Sequence, residues 1–384
     1  MQPPLLAALQ RLGFTEPTPI QTSAIPPALE GRDVLGSAET GSGKTAAFGL
    51  PLLQRLLKRP RGKTRALILA PTRELTHQIA EHLTALAHGS GLTVAAIYGG
   101  VGFKPQLAAL KRGTDVVVAT PGRLLDHIKQ KTAHLRDVEI LVLDEPDRML
   151  DIGFLPDVRR IIAHLPAKRQ TLLFSATLPP QISGLVREIL SDPVRVELAK
   201  KAAPVSTLSQ TLYAVPQENK TDLLVELLKD NAIYSAIAFT RTKARANRLA
   251  AALQKHRIPS NLIHGDRSQS QRSHALENFK RGRYRVLVAT DIAARGIDIS
   301  ALGHVINYDV PLVAADYLHR IGRTARAKAC GDAITLVSAD EEPLIRQIEF
   351  ALGKRLERSK NPLFPEATTE PPKSRVVYRS RRRR

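Results

Sequence analysis

The sequence contains few of the residues that form crosslinks, bind soft metals or stack on flat ligands. Its 384 residues include one cysteine, two methionines, no tryptophan and 4% aromatic residues. The single cysteine, Cys330, excludes an intramolecular disulfide and a cysteine-based metal cluster, so a reducing compartment, the cytoplasm, is expected. The sequence lacks an apolar run of about 18 residues and a secretory signal pattern, which argues against a membrane-spanning helix and against export.

Acidic residues are also scarce relative to basic ones. Lysine and arginine number 57 against 36 aspartates and glutamates, which gives a net charge of +21. Such an excess of positive charge predicts a polyanionic partner, and nucleic acid is favoured over a membrane surface because membrane-inserting patterns are missing. The scarcity of aromatic residues argues against a base-stacking platform. Contacts to the nucleic-acid backbone, with little sequence preference, are therefore expected.

Short apolar runs alternate with helical patterns along most of the chain. This alternation predicts α/β domains with mostly parallel sheets. A polar stretch near residues 198–208 divides the pattern, and the length suits two domains. The predicted boundaries are a first domain at 1–200, a linker at 201–208, a second domain at 209–353 and a tail at 354–384. The tail holds eleven basic and three acidic residues, a net +8, and disorder is expected there.

Residues 38–45, AETGSGKT, have the composition of a phosphate-binding loop. A buried strand is predicted before them and an apolar-periodic helix after them, which is the context this loop requires. Gly41 and Gly43 leave backbone N–H groups open to a polyphosphate, Lys44 can reach its β- and γ-phosphates, and the Thr45 hydroxyl can bind Mg²⁺. Ala38 replaces the glycine of the general pattern. A loop of this composition could also arise by chance.

Three carboxylates follow the hydrophobic run at residues 140–143, which is typical of a strand buried in a parallel sheet. The carboxyl ends of such strands are where α/β proteins bind ligands. Asp144 is placed to hold Mg²⁺, and Glu145 to orient or deprotonate an attacking water. A solvated acidic turn is the alternative, and the phosphate loop upstream disfavours it. The two elements together predict a nucleoside-triphosphatase.

Two clusters in the second half carry further chemistry. Residues 289–299, ATDIAARGIDI, follow a predicted strand. In residues 319–326, HRIGRTAR, the arginines Arg320, Arg323 and Arg326 recur every third position, so one helix face could present them. Such arginines can neutralise a transferring phosphoryl group. A basic face bound to nucleic acid is the alternative.

The ordered motifs resemble those of the DEAD-box RNA helicases, a family of superfamily 2, over residues 5–350. The resemblance runs through GFTEPTPIQ, AETGSGKT, PTREL, TPGR, DEPD and SAT in the first half. It continues through ATDIAARGIDI and HRIGRTAR in the second. It implies two tandem RecA-like domains, ATP with Mg²⁺, and an RNA-dependent ATPase. Such an enzyme binds single-stranded RNA without sequence preference and unwinds short duplexes, with ATP closing the domains and hydrolysis releasing RNA.

The resemblance also implies roles for individual residues. The residues implied in catalysis are Lys44, Asp144, Glu145, Arg323 and Arg326. The residues implied in metal binding are Thr45 and Asp144. The nucleotide is held by Phe14, Gln21 (which reads the adenine), Thr40, Gly41, Ser42, Gly43, Lys44, Thr45, Gly296 and Asp298 (which contacts the ribose). RNA is contacted by Pro71, Thr72, Arg73, Gly99, Gly100, Thr120, Pro121, Gly122, Arg123, Arg241, Thr242, Gln269, Arg272 and Thr290. Coupling between domains falls to Asp147, Ser175, Thr177, His319 and Arg320.

The sequence of the second half most resembles the bacterial RhlE branch of the family. The expected partners are RNA, ribosomal precursors or RNA-turnover proteins, and the expected state is a monomer. Pro146 and Ala325 depart from the family pattern. Pro146 suits the first position of a helix with an extended Glu145 before it; alternatively, it shifts Asp147 away from Ser175 and Thr177. An ATP-gated RNA clamp or annealer with weak turnover, and a DNA translocase, are the competing functions.

Overall fold

The computed structural model describes residues 1–38, 41–58, 62–197, 208–294, 302–322 and 331–364. These residues form two compact units, one before and one after residues 198–207. Each unit is an α/β domain built on its own seven-stranded parallel sheet. The predicted fold class of two tandem RecA-like domains is confirmed. None of the helices in the described ranges is long and apolar enough to span a membrane.

The first sheet has the order β3-β4-β2-β5-β6-β1-β7. Its strands are β1 (Val34–Ser37), β2 (Ala66–Leu69), β3 (Val94–Ile97), β4 (Val116–Ala119), β5 (Ile140–Asp144), β6 (Gln170–Ser175) and β7 (Val194–Glu197). The four central strands β2, β4, β5 and β6 are buried along their whole length, because helices cover both faces of a parallel sheet.

Nine helices pack on the first sheet within the described ranges. They are α1 (Pro3–Arg11), α2 (Pro19–Leu29), α3 (Lys44–Leu56), α4 (Arg73–Leu86), α5 (Phe103–Lys111), α6 (Pro121–Lys129), α7 (Pro146–Ile152), α8 (Leu155–Ile162) and α9 (Pro180–Ile189). One core cluster centres on α3 and includes Phe48, Leu53 and Phe174. A second, including Leu67, Leu143 and Met149, lies on the other face.

The second sheet repeats the topology of the first, with the order β10-β11-β9-β12-β13-β8-β14. Its strands are β8 (Leu208–Ala214), β9 (Ala236–Thr240), β10 (Ser260–Ile263), β11 (Val286–Thr290), β12 (His304–Asn307), β13 (Gly331–Val337) and β14 (Glu357–Ser359). Its helices are α10 (Lys220–Leu227), α11 (Lys243–Lys255), α12 (Gln269–Lys280), α13 (Asp291–Ala294), α14 (Ala314–Ile321) and α15 (Glu342–Leu352). Within the described part of this unit, single 3₁₀ turns lie at Gln217–Asn219 and Ala339–Glu341.

The boundaries predicted around the second domain need correction at both ends. Leu208, placed in the linker, already begins β8. The tail predicted from residue 354 does not begin there, because β14 pairs in parallel with β8. Leu356 is buried, and Asn361 Nδ2 donates to the Ala214 carbonyl at 2.7 Å. Residues 354–364 therefore belong to the second unit. The prediction of disorder then concerns only residues 365–384, which lie outside the described ranges.

Candidate functional site

The phosphate loop leads directly from β1 into α3, which begins at Lys44. Gly41 and Gly43 have φ values of 86° and 93°, a conformation that side chains disfavour. A Cβ on Gly43 would also lie 2.6 Å from Gln21 Nε2 and 2.8 Å from Thr18 Oγ1. Glycine is thus required there by conformation and by space. The N-terminus of the 13-residue helix α3 supplies backbone N–H groups and a positive dipole end, which suit an anion.

Gln21 lies against the phosphate loop, and its contact with the adenine stays a prediction. Its Nε2 donates to the Gly43 carbonyl at 3.1 Å, and its Oε1 accepts from Thr18 N at 2.9 Å. Ser42 and Thr45, in the phosphate loop itself, are half-buried. Phe14 instead packs on the first core and against the His82 ring, with centroids 6.1 Å apart. Contact of Phe14 with the nucleotide remains a prediction.

The loop lysine and the first strand-end carboxylate face each other inside the domain. Lys44 Nζ lies 3.7 Å from Asp144 Oδ1, and both side chains are at most 5% exposed. Neither of these two atoms has a hydrogen-bond partner among the described residues, although both are buried. Burial raises the pKa of Asp144 to about 6, against the opposing effect of Lys44. A buried cation and a buried carboxylate with unused bonding capacity fit a phosphate and a divalent metal between them.

Glu145 adopts a different backbone conformation from the one expected. It lies in the left-handed region, with φ 55° and ψ 51°, although the prediction was an extended residue before proline. The buried strand β5 has to turn into α7 within one residue, and this left-handed residue makes that turn at a cost of about 1–2 kcal/mol. Pro146 does occupy the first position of α7, as predicted.

The Glu145 carboxylate lies between two cations. Its Oε2 accepts from Arg148 Nη1 at 2.6 Å, and its Oε1 lies 3.9 Å from Lys44 Nζ. Both partners are buried, so solvent screens these interactions little. Arg148 was not identified from the sequence, although its position three residues after Glu145 on a predicted helix is a signal for such a pair.

Asp147 links the acidic segment, residues 144–147, to the segment after β6. Its Oδ2 accepts from Thr177 N at 2.9 Å and from Thr177 Oγ1 at 2.8 Å. Ser175 does not complete this link through Asp147; its Oγ donates to the Thr177 carbonyl at 2.7 Å. Asp147 therefore keeps its link to Thr177 beside Pro146, which the alternative of a displaced Asp147 did not expect.

The candidate RNA contacts of the first domain lie together, because they follow the neighbouring strands β2, β3 and β4. Thr72 caps α4, and its Oγ1 accepts from Leu75 N at 3.3 Å. The Arg73 guanidinium lies so close to Gly100 that a Cβ there would be 1.9 Å from Arg73 Nη1. Arg123 Nη1 donates to the Val101 carbonyl at 3.2 Å. Pro71, Gly99, Thr120, Pro121 and Gly122 flank these residues in the same three segments.

The candidate RNA contacts of the second domain follow β9 and β11 or lie on α12. Arg241 is 36% exposed, and its Nη2 donates to Glu341 Oε1 at 2.7 Å. Thr242 caps α11, where its Oγ1 accepts from Arg245 N at 3.2 Å. Gln269 and Arg272 are largely buried in the first turn of α12, and Thr290 ends β11.

Arg320 is buried inside the second domain. Its guanidinium binds both Asp291 oxygens, at 2.6 and 2.8 Å, and donates to Asn307 Oδ1 at 3.0 Å. It therefore ties the segment after β11 to β12, and it is not part of an exposed arginine face as the spacing suggested. His319 is half-buried on the same helix. The remaining candidates lie outside the described residues: Thr40, Gly296, Asp298, Arg323 and Arg326.

Two tandem RecA-like units, with a phosphate loop facing strand-end carboxylates in the first, define a nucleoside-triphosphatase of the helicase type. Residues 18–185 match the DEAD/DEAH box helicase family, and residues 219–328 match the helicase conserved C-terminal domain. The chain belongs to the DEAD/DEAH box helicase family.

Individual relatives agree with this assignment. The chain is 43% identical to the DEAD-box ATP-dependent RNA helicase CshA of Bacillus subtilis, over 94% of this chain and 73% of the relative. It is 46% identical to the ATP-dependent rRNA helicase RRP3 of Eremothecium gossypii, over 92% of this chain and 73% of the relative. Among solved structures, S. cerevisiae Dbp5 bound to RNA and ADP BeF3 superposes with a TM-score of 0.83. That pair is 32% identical, with 94% of each chain covered.

Proposed function

We propose that this chain is an RNA-dependent ATPase that binds single-stranded RNA without sequence preference and locally unwinds short RNA duplexes. The observation that carries the proposal is the buried pair of Lys44 and Asp144 at the end of a phosphate loop, in a chain of the DEAD/DEAH box helicase family. ATP binding closes the two domains, and hydrolysis releases RNA. The enzyme is an ATP-dependent RNA helicase.

In the nucleotide site, Lys44 takes the β- and γ-phosphates, and Asp144 with Thr45 holds Mg²⁺. The metal, when bound, neutralises charge on the phosphate oxygens. The 3.7 Å separation between Lys44 Nζ and Asp144 Oδ1 supports this, because both groups keep bonding capacity that the described residues do not use. Gln21, bonded to the loop at Gly43, reads the adenine.

Glu145 orients the attacking water and accepts its proton. Its carboxylate is supported by Arg148 at 2.6 Å, and its N–H donates to the Phe174 carbonyl at 2.9 Å, so both ends of the residue are held. Arg323 and Arg326 stabilise the charge on the transferring phosphoryl group. Their position is a proposal from the HRIGRTAR motif alone.

RNA binding uses mainly the phosphate backbone. In the first domain, Arg73 and Arg123 supply the charge, while Gly99, Gly100 and Gly122 let the backbone approach closely. In the second domain, the RNA backbone is contacted by Arg241, Thr242 and Arg272. Asp147, through its two hydrogen bonds with Thr177, transmits the state of the acidic segment to the segment after β6.

Finer assignments rest on the sequence resemblance. We propose membership of the RhlE branch, a cytoplasmic monomer and ribosomal precursors or RNA-turnover complexes as targets. The domain boundaries proposed are 1–200 for the ATP-binding domain, a linker to residue 207, and a C-terminal domain that extends to residue 364. The relative RRP3 is named an rRNA helicase, which supports ribosomal RNA as a target.

One observation favours the alternative of an ATP-gated clamp with weak turnover. Glu145 is held in a strained conformation before Pro146 and pairs with Arg148, so its carboxylate could be fixed short of the water-activating position. Pro146→Ala separates the two functions. The helicase predicts similar unwinding per ATP in the variant and the wild type, whereas a gain of about tenfold or more would support the clamp.

The decisive assay for the proposed function is phosphate release with single-stranded RNA, with DNA of the same sequence and without nucleic acid. An RNA helicase is stimulated by RNA alone. A clamp releases little phosphate in all three reactions, and a DNA translocase is stimulated by DNA.

A further inference from the structure

The two sheets correspond strand by strand. Adding seven to each strand number of the order β3-β4-β2-β5-β6-β1-β7 gives the order of the second sheet. Strand β8 therefore corresponds to β1, β12 to β5 and β13 to β6. The strands that position the phosphate loop and the carboxylates in the first domain thus have counterparts in the second.

The lysine and the first carboxylate of the nucleotide site also have counterparts. Lys220 is the first residue of α10, the helix after β8, just as Lys44 is the first residue of α3 after β1. Asp309 follows β12 by two residues, where Asp144 ends β5. Lys220 Nζ lies 3.9 Å from Asp309 Oδ1, close to the 3.7 Å between Lys44 and Asp144.

The lysine and aspartate pair of the second domain also contacts Glu341, which follows β13. Its Oε2 forms an ion pair with Lys220 and accepts from Ser338 N at 3.3 Å and Ser338 Oγ at 3.1 Å. Its Oε1 accepts from Arg241 Nη2 at 2.7 Å and from Val310 N at 3.3 Å. Two backbone N–H groups, a hydroxyl, an ammonium and a guanidinium are the donors that a bound oxyanion would receive.

This carboxylate is fully enclosed. Glu341 is 2% exposed and Lys220 is 0% exposed. Burial lowers the pKa of Lys220 even though Glu341 and Asp309 oppose the effect. The connection between β8 and α10, residues 215–219, reads VPQEN and contains no glycine, so it cannot form a loop like the one at Gly41 and Gly43.

We propose that Glu341 is a built-in ligand of the second domain: its carboxylate fills the position that corresponds to the phosphate site of the first domain. The same carboxylate fixes Arg241 for RNA binding, a part that rests on the proposed function. The second domain therefore binds no nucleotide at this position, and it uses the corresponding site to hold a nucleic-acid-binding arginine in place.

The charges around Glu341 predict what happens when its side chain is removed. Lys220, Arg241 and Arg245 contribute three positive charges, and Asp309 and Glu341 contribute two negative ones; Arg245 Nη2 lies 2.6 Å from Asp309 Oδ1. Glu341→Ala leaves a cavity of carboxylate size lined by cations. A small carboxylate from solution should enter this cavity and replace the lost side chain.

The test uses the full-length chain and Glu341→Ala, with Glu342→Ala as the matched control. Glu342 is also buried, at 5% exposure, but it pairs with the surface residue Arg358 at 3.0 Å. The melting temperature and the affinity for single-stranded RNA are measured in formate or acetate against chloride at equal ionic strength. Neutral acetamide controls for shape.

For Glu341→Ala we expect a lower melting temperature and RNA binding weakened by about threefold to tenfold, as when one hydrogen bond of ordinary strength is lost. Formate should restore both, whereas acetamide should restore neither. Glu342→Ala should not respond to formate. A Glu341→Ala protein indifferent to formate and acetate would overturn the proposal. If formate restores the melting temperature of Glu341→Ala but the RNA affinity never changes, Glu341 does not fix Arg241 for RNA binding. The proposed function would be unaffected by that result.

If Glu341→Ala does not fold, two isosteric variants still decide the matter. Glu341→Gln keeps the volume and leaves Lys220 with only the Tyr308 carbonyl at 3.0 Å and the more distant Asp309 carboxylate, so it should lose stability and ignore formate. Lys220→Met combined with Glu341→Gln removes this poorly compensated charge, while Arg245 still pairs with Asp309, and should regain most of the lost melting temperature. A double variant no more stable than Glu341→Gln would contradict the assigned pairing.

Discussion

Gly122 offers a perturbation that separates RNA contact from protein stability. It lies in the first turn of α6, within the segment assigned to RNA, and a Cβ there would meet nothing within 4 Å. Gly122→Ala therefore adds a methyl group without a clash inside the protein. Gly184, in α9, is the matched control, because it is also helical, half-buried and open around its Cβ.

Replacing a helical glycine by alanine stabilises a protein by about 0.5–1 kcal/mol. For a domain of this size, that raises the melting temperature by a few degrees at most. The same methyl group at Gly122 would keep an RNA backbone from the N-terminus of α6. Losing one or two hydrogen bonds to a charged phosphate costs about 1.5–3 kcal/mol each, so RNA affinity should fall at least about tenfold.

The measurement is fluorescence anisotropy with a labelled single-stranded RNA, beside thermal melting of the same preparations. We expect both variants to be as stable as the wild type or more stable, and only Gly122→Ala to bind RNA poorly. Equal RNA affinities for Gly122→Ala and Gly184→Ala would refute the assignment of this helix terminus to RNA.

Three further predictions address the nucleotide site and the tail. Lys44→Ala and Glu145→Gln should both abolish hydrolysis, but only Lys44→Ala should weaken ATP binding in calorimetry; wild-type turnover in Glu145→Gln would remove Glu145 from catalysis. Because burial raises the pKa of Asp144 to about 6, protonation should compete with Mg²⁺. Below pH 6, Mg²⁺-ATP affinity should fall by up to about tenfold per pH unit, and Asp144→Asn, which has no carboxyl group to protonate there, should lack this part of the pH dependence. Truncation after Phe364 removes seven basic and two acidic residues, so the slope of log affinity against log salt should flatten by up to about 0.7 per lost phosphate contact. An unchanged slope would exclude a role for the tail in RNA binding.

Local sequence patterns predicted the parts of the fold that are uniformly buried. Strand β5, ILVLD, is apolar up to its last residue, and the loop before α3 carries glycines where positive φ values occur. Two of the four edge strands, β7 and β14, were not predicted, and their composition gives the physical reason. Strands β7 (VRVE) and β14 (ERS) lie at the edges of their sheets, where polar side chains face solvent and the periodicity is weak.

The candidate site was predictable in its residue types but not in its conformations. The expectation of an extended Glu145 followed from the general preference of residues before proline, and the tight connection of β5 to α7 overrides that preference. The Glu341 cluster was not foreseen, because its members come from segments that are separated by up to about 120 residues. Only the fold brings Lys220, Asp309 and Glu341 together.

The proposed helicase couples RNA binding to ATP hydrolysis at the Lys44 and Asp144 site. The most direct measurement is the steady-state rate of phosphate release as single-stranded RNA is titrated, with matched DNA and with Lys44→Ala as controls. If this coupling holds, the rate rises saturably with RNA and does not rise with DNA, and Lys44→Ala is inactive. A rate that is equal with RNA, with DNA and without nucleic acid, or a Lys44→Ala protein as active as the wild type, would contradict it.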